Sequence, residues 1–219
     1  MKCQAIVFDL DGTLLNTLDD LADANNEALT EMGFPTHPVE SYKHHIGNGV
    51  RLLLERTLPE GARDDATVEK GVAMMKQAYS KCWDNKTRPY DGIPEMLDEL
   101  TSRGVRMAIL SNKPHAYTEM VVDKLLADWE FERVWGVSDS VPPKPDPAGV
   151  SRLVEALGAP TENLLYLGDT ATDMETAVGA GIFAVGVLWG FRTADELTQN
   201  GADVLLGAPS ELFDVIDRR

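Results

Sequence analysis

Five short apolar runs, AIVF (5–8), VRMAIL (105–110), RVWGV (133–137), NLLYLG (163–168) and GIFAVGVL (181–188), lack the strict alternation of a half-exposed strand. Runs of this kind suit strands covered by helices on both faces, the pattern of a parallel sheet. Helical stretches separate them, and a weaker run, ADVLL (202–206), precedes a closing helix. The chain is therefore expected to be an α/β protein built on a doubly wound, Rossmann-like parallel sheet.

One interval breaks that rhythm. More than ninety residues separate the first two runs, where about 30 suffice for a whole strand–helix–strand unit. The excess reads as an inserted helical module. Leu18, Leu21, Ala22, Asn25, Ala28, Leu29 and Met32 mark one face of a first helix, and a break at GFPTHP follows. A second helix is expected to open at Asn48 with Leu52, Leu53 and Leu54, and a third from about Asp64 with Val68, Val72, Met75 and Tyr79. NKTRPYDGIP (85–94) is the return linker, turning at Asp91 and Gly92. The expected division is a core of residues 1–15 and 86–219 with a helical cap of residues 16–85, hinged near 14–17 and 86–90.

Charge narrows the partners. Twenty Lys plus Arg against 36 Asp plus Glu give a formal charge of −16, the wrong sign for nucleic acid or an anionic membrane surface. An anionic substrate would need a local cation or a metal. The longest apolar stretches, such as 182–189, fall far short of the ~20 residues that span a bilayer, and MKCQAIVFD lacks the apolar core of a signal peptide, so a cytoplasmic location is expected. Cys3 and Cys82 lie far apart without metal-ligand spacing and read as reduced, incidental thiols.

In open parallel sheets the ligand crevice lies outside the carboxyl ends of the strands. There the runs deliver Asp9, Asp11 and Thr13; Ser111, Asn112 and Lys113; and Gly168, Asp169 and Asp173, while Lys144 sits in the loop VPPKPDP. Asp9, Asp169 and Asp173 are hard oxygen ligands suited to Mg²⁺. With the ion and Lys144 offsetting their charge, Asp9 is free to attack phosphorus, and Asp11 to protonate the leaving oxygen and deprotonate water. Gly12 would let main-chain N–H groups approach a phosphate, and the Ser111 hydroxyl would donate to another phosphoryl oxygen.

Each segment also has a plainer reading. DLDGT could be an Asx-turn, SNKPH a helix start with Lys113 solvated, Lys144 a loop lysine, Asp173 a first-turn helix carboxylate and GNGVR (47–51) a simple turn.

Taken together and in order, DLDGT (9–13), SNK (111–113), KPDP (144–147) and GDTATD (168–173), with a helical insertion after the first, resemble the haloacid dehalogenase superfamily in its branch with a helical cap. The cap stretches NTLDDLADANNEALTEMGF and HHIGNGVRLLLERTL are most similar to those of phosphoglycolate phosphatases, with Asn16 where such sequences often carry an aspartate. The resemblance implies a Mg²⁺-dependent phosphatase of small phosphorylated metabolites. Asp9, Asp11 and Lys144 would be catalytic, Gly12, Thr13, Ser111 and Asn112 would hold the phosphate, and Asp11 would offer its main-chain carbonyl to the ion beside Asp9, Asp169 and Asp173. It further implies that the cap loop faces the site, with Arg51, or His44 and His45, available for a substrate carboxylate. A phosphomutase is the alternative within the enzyme class. A phosphoaspartate receiver would carry no cap, and a dehalogenase needs no acid at Asp11.

Overall fold

The computed structural model describes residues 3–218. The chain begins with β1 (Ala5–Phe8) and the two-residue β2 (Leu15–Asn16), then enters α1 (Leu18–Glu31), α2 (Val50–Thr57) and α3 (Asp65–Cys82). It returns through β3 (Arg88–Pro89) to α4 (Ile93–Ser102), β4 (Arg106–Pro114), α5 (His115–Leu125), β5 (Arg133–Val137) and α6 (Pro147–Leu157). The last part comprises β6 (Leu164–Gly168), α7 (Ala171–Gly179), β7 (Phe183–Val187), α8 (Ala194–Gln199), β8 (Val204–Leu206) and α9 (Leu212–Arg218).

Six strands form one sheet in the order β5-β4-β1-β6-β7-β8, every neighbouring pair parallel. The unbroken apolar runs have their reason here. On β1, Ile6 and Phe8 enter one core and Ala5 and Val7 the other; β6 splits Leu165 and Leu167 from Leu164 and Tyr166 in the same way. Because successive side chains point to opposite faces, a strand covered on both sides has no position left for a polar residue.

β1 and β5 occupy the expected segments, but β4 runs on to Pro114 through a register shift after Leu110. Ser111, Asn112 and Lys113 therefore belong to the irregular end of a strand and not to a loop beyond it.

Helices α1, α2 and α3 pack around a separate apolar cluster that includes Leu29, Leu54, Val68 and Met75. The expected face of α1 is buried from Leu18 to Leu29. On α2 the expectation fails in part: the helix opens at Val50, and Leu53 and Leu54 are buried while Leu52 is 39% exposed. At 100° per residue three consecutive leucines span too wide an arc to share one buried stripe.

The two connections to this layer pair with each other, β2 and β3 forming a short antiparallel ribbon. Beside it Asp20 is buried, a position the apolar pattern of α1 does not mark. Its carboxylate accepts from Lys86 N at 3.0 Å, Thr87 N at 2.8 Å and Thr87 Oγ1 at 2.7 Å, tying the return segment to α1. Among the described residues no helix is long and apolar enough to cross a membrane.

Replacing Asp20 by alanine strands these buried donors. Asp20→Ala is expected to cost about 2 to 4 kcal/mol of unfolding free energy, read as a lowered urea midpoint, whereas a midpoint equal to the parent's would show that the ribbon does not need the carboxylate.

Candidate active site

β1 and β6 lie side by side, so their carboxyl ends bring Asp9 and Asp169 together. Gly168 lets the next helix close in, because a Cβ there would lie 2.2 Å from Cβ of Asp173. Ligand oxygens of Asp9, Asp169 and Asp173 all fall within 4.8 Å of one another, and all three residues are buried. Lys144 enters from the loop before α6 and donates to Asp9 Oδ1 at 2.8 Å and to Asp173 Oδ1 at 2.7 Å.

The remaining oxygens are fixed by neighbours. Asp169 Oδ2 accepts from Phe191 N at 2.8 Å, and its Oδ1 from Thr13 Oγ1 at 3.2 Å. Asp173 closes a capping box at the start of α7, its Oδ2 accepting from the main-chain N and the hydroxyl of Thr170. The first-turn helix reading of Asp173 is thus met, and the same carboxylate stands in the acidic cluster.

Three buried carboxylates against one ammonium leave surplus negative charge. Burial, with Asp173 beside it, raises Asp9 to about 7 against the pull of Lys144. Burial, then Asp173 and Asp9, raises Asp169 well above the usual carboxylate range. Burial pulls Lys144 down, but Asp173 and Asp9 outweigh it and hold the ammonium well above its ordinary value. An all-oxygen set with uncompensated charge fits a hard divalent cation, and these three aspartates are the residues that would hold one.

Asp11 stands apart from that cluster. Its two carboxylate oxygens accept from Lys113 Nζ at 2.9 and 3.0 Å. Lys113 is therefore not solvated: it is buried, with its ammonium 4.9 Å from the centroid of the Tyr79 ring. Burial disfavours that charge, yet the Asp11 carboxylate outweighs it and raises Lys113 above its ordinary value.

Three of the expected phosphate contacts have other work. The Gly12 N–H donates to Leu15 O at 2.9 Å, and with φ at +91° a Cβ at this position would lie 2.3 Å from Asp169 Oδ2, so glycine here makes room for a carboxylate. The Thr13 hydroxyl is spent on Asp169. Asn112 donates to Gly47 O and Lys144 O and accepts from Lys144 N at 2.7 Å, which commits its amide to positioning two loops. The Ser111 oxygen accepts from Lys113 N at 3.2 Å, leaving its proton for a ligand in the cleft it lines.

That cleft lies between the carboxyl ends of β1 and β4 and the wall formed by α1, α2 and α3, with Asp9, Asp11, Ser111 and Lys113 on one side and Leu21, Leu53, Met75 and Tyr79 on the other. Gly47, Gly49 and Val50 line it, but Arg51 does not. The guanidinium of Arg51 pairs with Glu55, Asp65 and Glu69 on a side chain 44% exposed, because residue 51 follows Val50 by 100° around α2 and faces α3 and solvent. His44 is exposed, and His45 turns toward His37 and Tyr42.

Contacts that short motifs cannot reveal seat the helical layer on the sheet. Asn48 Nδ2 donates to Thr172 Oγ1 at 2.8 Å, and Arg192 Nη2 to Ile46 O at 2.8 Å. Thr172 has no signal in sequence beyond adjacency to Asp173, and Arg192 has none.

Residues 6–187 match the family model of the haloacid dehalogenase-like hydrolases. A phosphoglycolate phosphatase of Pseudomonas putida is 34% identical over 192 residues, 85% of this chain and 70% of that protein. One from Aquifex aeolicus is 33% identical over 214 residues, 98% and 97% of the two chains. Among solved structures, a candidate phosphoglycolate phosphatase from Lactobacillus delbrueckii superposes with a TM-score of 0.91 over 99% of both chains at 29% identity. The chain belongs to the haloacid dehalogenase-like hydrolase family, on its phosphatase branch.

Proposed function

We propose that this phosphatase hydrolyses a small phosphomonoester bearing a carboxylate, of the phosphoglycolate kind, through a phosphoryl group carried on Asp9. The observation that carries the reading is the separation of two aspartates two residues apart: Asp9 is held by Lys144 in the buried cluster, while Asp11 is held by Lys113 at the cleft. This separation supports a nucleophile in one carboxylate and a proton carrier in the other. The names of the relatives supply the substrate class.

Lys144 holds Asp9 Oδ1, so Oδ2 is the oxygen free to attack phosphorus. In its protonated form Asp11 delivers a proton to the leaving oxygen, which departs as an alcohol, leaving Asp11 as the carboxylate that Lys113 pairs with. Asp11 then takes a proton from water as that water attacks the phosphorus, and inorganic phosphate leaves Asp9. The Ser111 hydroxyl donates to a phosphoryl oxygen. Asp9, Asp169 and Asp173 would hold Mg²⁺, which when bound supplies positive charge opposite the phosphoryl oxygens.

We further propose that residues 16–85 act as a cap over a core of residues 1–15 and 86–219. The β2–β3 ribbon would be the hinge, and closure would shed water from the phosphoryl site.

Asp9→Asn is expected to abolish phosphate release while circular dichroism stays unchanged, since volume and the Lys144 contact are nearly kept; turnover near the parent rate would remove Asp9 as nucleophile. Asp11→Asn should lower kcat by about 10² to 10⁴ and keep a Mg²⁺-dependent rise in melting temperature. Asp169→Asn should lose that rise, because it removes a carboxylate from the cluster and not from the proton path. A rise lost in Asp11→Asn and kept in Asp169→Asn would exchange the two roles.

A further inference from the structure

If the substrate carries a carboxylate, something in the cleft must receive it, and Arg51 is already engaged by three acids. The charged residues lining the cleft are Asp9, Asp11, Lys113 and Lys76. Lys113 is spent on both oxygens of Asp11. Lys76 has no ion pair or side-chain hydrogen bond among the described residues, although acidic residues outnumber basic ones by 36 to 20 in the chain. An unpaired ammonium on the wall of an otherwise apolar cap surface marks where an anion would settle.

A second observation points to the same place. Tyr79 follows Lys76 by three positions on α3, so the two share a face. Tyr79 lines the cleft, its side chain is buried, and its hydroxyl has no hydrogen-bond partner. A buried hydroxyl left without a partner costs free energy that a ligand oxygen would recover. Burial outweighs the opposing pull of the neighbouring Lys113 ammonium and raises Tyr79, so the group stays a donor. Tyr79 also lies close to the reacting end: its ring is 4.9 Å from Lys113 Nζ, which is 2.9 Å from Asp11 Oδ1. Tyr117 Oη, from α5 of the sheet layer, donates to Lys76 O at 3.2 Å, fixing this turn of α3 against the cleft mouth.

We propose that Lys76 and Tyr79 form the carboxylate-binding pair of this enzyme, the ammonium supplying charge and the phenol a hydrogen bond to the end of the substrate opposite the phosphate. The assignment rests on the carboxylated-substrate reading above, and deepens it by naming the residues that select for it. Lys76 is exposed and free of structural bonds through its side chain, so its replacement does not threaten the fold. Tyr79→Phe keeps the ring that packs edge-on against Tyr117.

The test compares kcat/KM for phosphoglycolate and for ethyl phosphate, which lacks the carboxylate, in the parent, Lys76→Met, Tyr79→Phe and Lys76→Glu. The parent should prefer phosphoglycolate. Lys76→Met should reduce that preference by about 10-fold or more, mainly through KM, and Tyr79→Phe in the same direction. Lys76→Glu should shift selection toward 2-aminoethyl phosphate, an effect that a purely structural lysine would not produce. A parent that prefers phosphoglycolate together with a Lys76→Met variant that keeps the preference would overturn the pair and leave the substrate reading standing. A parent with no preference for phosphoglycolate would overturn both.

Discussion

The Lys144 ammonium between Asp9 and Asp173 is the contact on which the rest of the molecule turns. Three carboxylates gathered in a buried space repel each other and lose their hydration, and a buried charge without a partner costs several kcal/mol. Lys144 lowers that cost without removing it, which leaves Asp9 and Asp169 raised and the cluster short of positive charge. A cluster that is electrostatically incomplete by itself is one that a hard divalent cation would complete.

The surrounding fold can be understood as what holds that charge in place. β1 and β6 are neighbours, so Asp9 and Asp169 emerge side by side, and Asn112 at the end of β4 grips Lys144 by its main-chain N and O. Glycine at 12, 168 and 190 lets the backbone approach the carboxylates where a Cβ would collide with Asp169 or Asp173. Thr13 and Phe191 N then orient Asp169 through ordinary hydrogen bonds. Residues that read as phosphate binders in DLDGT and SNK are in large part the supports of the carboxylates and of Lys144.

What was legible in the sequence follows the same physics. Strands buried on both faces announce themselves as unbroken apolar runs, and the polar residues directly after them announce the site, so β1, β5 and the positions of Asp9, Asp11, Asp169 and Lys144 were within reach. Lys113 was not, because a lysine after a strand is solvated in most proteins and nothing local signals that Asp11 will come within 2.9 Å from 102 positions away. Asp20 and Arg51 depart from the helical pattern in opposite directions for one reason. A helical pattern tells which face a residue takes but not what chain will lie against it, so the buried carboxylate was invisible and the exposed guanidinium was assigned to a site it does not face. Tertiary partners of charged side chains are decided by the packing of helices whose mutual positions no short window contains.

The seating of the helical layer on the sheet has a further consequence for how such an enzyme can vary. Asn112 donates to Gly47 O, Arg192 to Ile46 O and Tyr117 to Lys76 O, so these contacts end on main-chain oxygens of the cap. A hydrogen bond to a carbonyl oxygen is indifferent to the side chain of the residue that bears it. The Lys76 side chain is thereby left free of the docking contacts, whereas the Tyr79 ring packs edge-on against Tyr117 of the sheet layer. The bond to Lys76 O is the clearest instance, since it anchors the turn while leaving the lysine side chain uncommitted. The sheet ends hold their charge arrangement through buried side-chain bonds, whereas part of the grip on the helical layer passes through its main-chain oxygens.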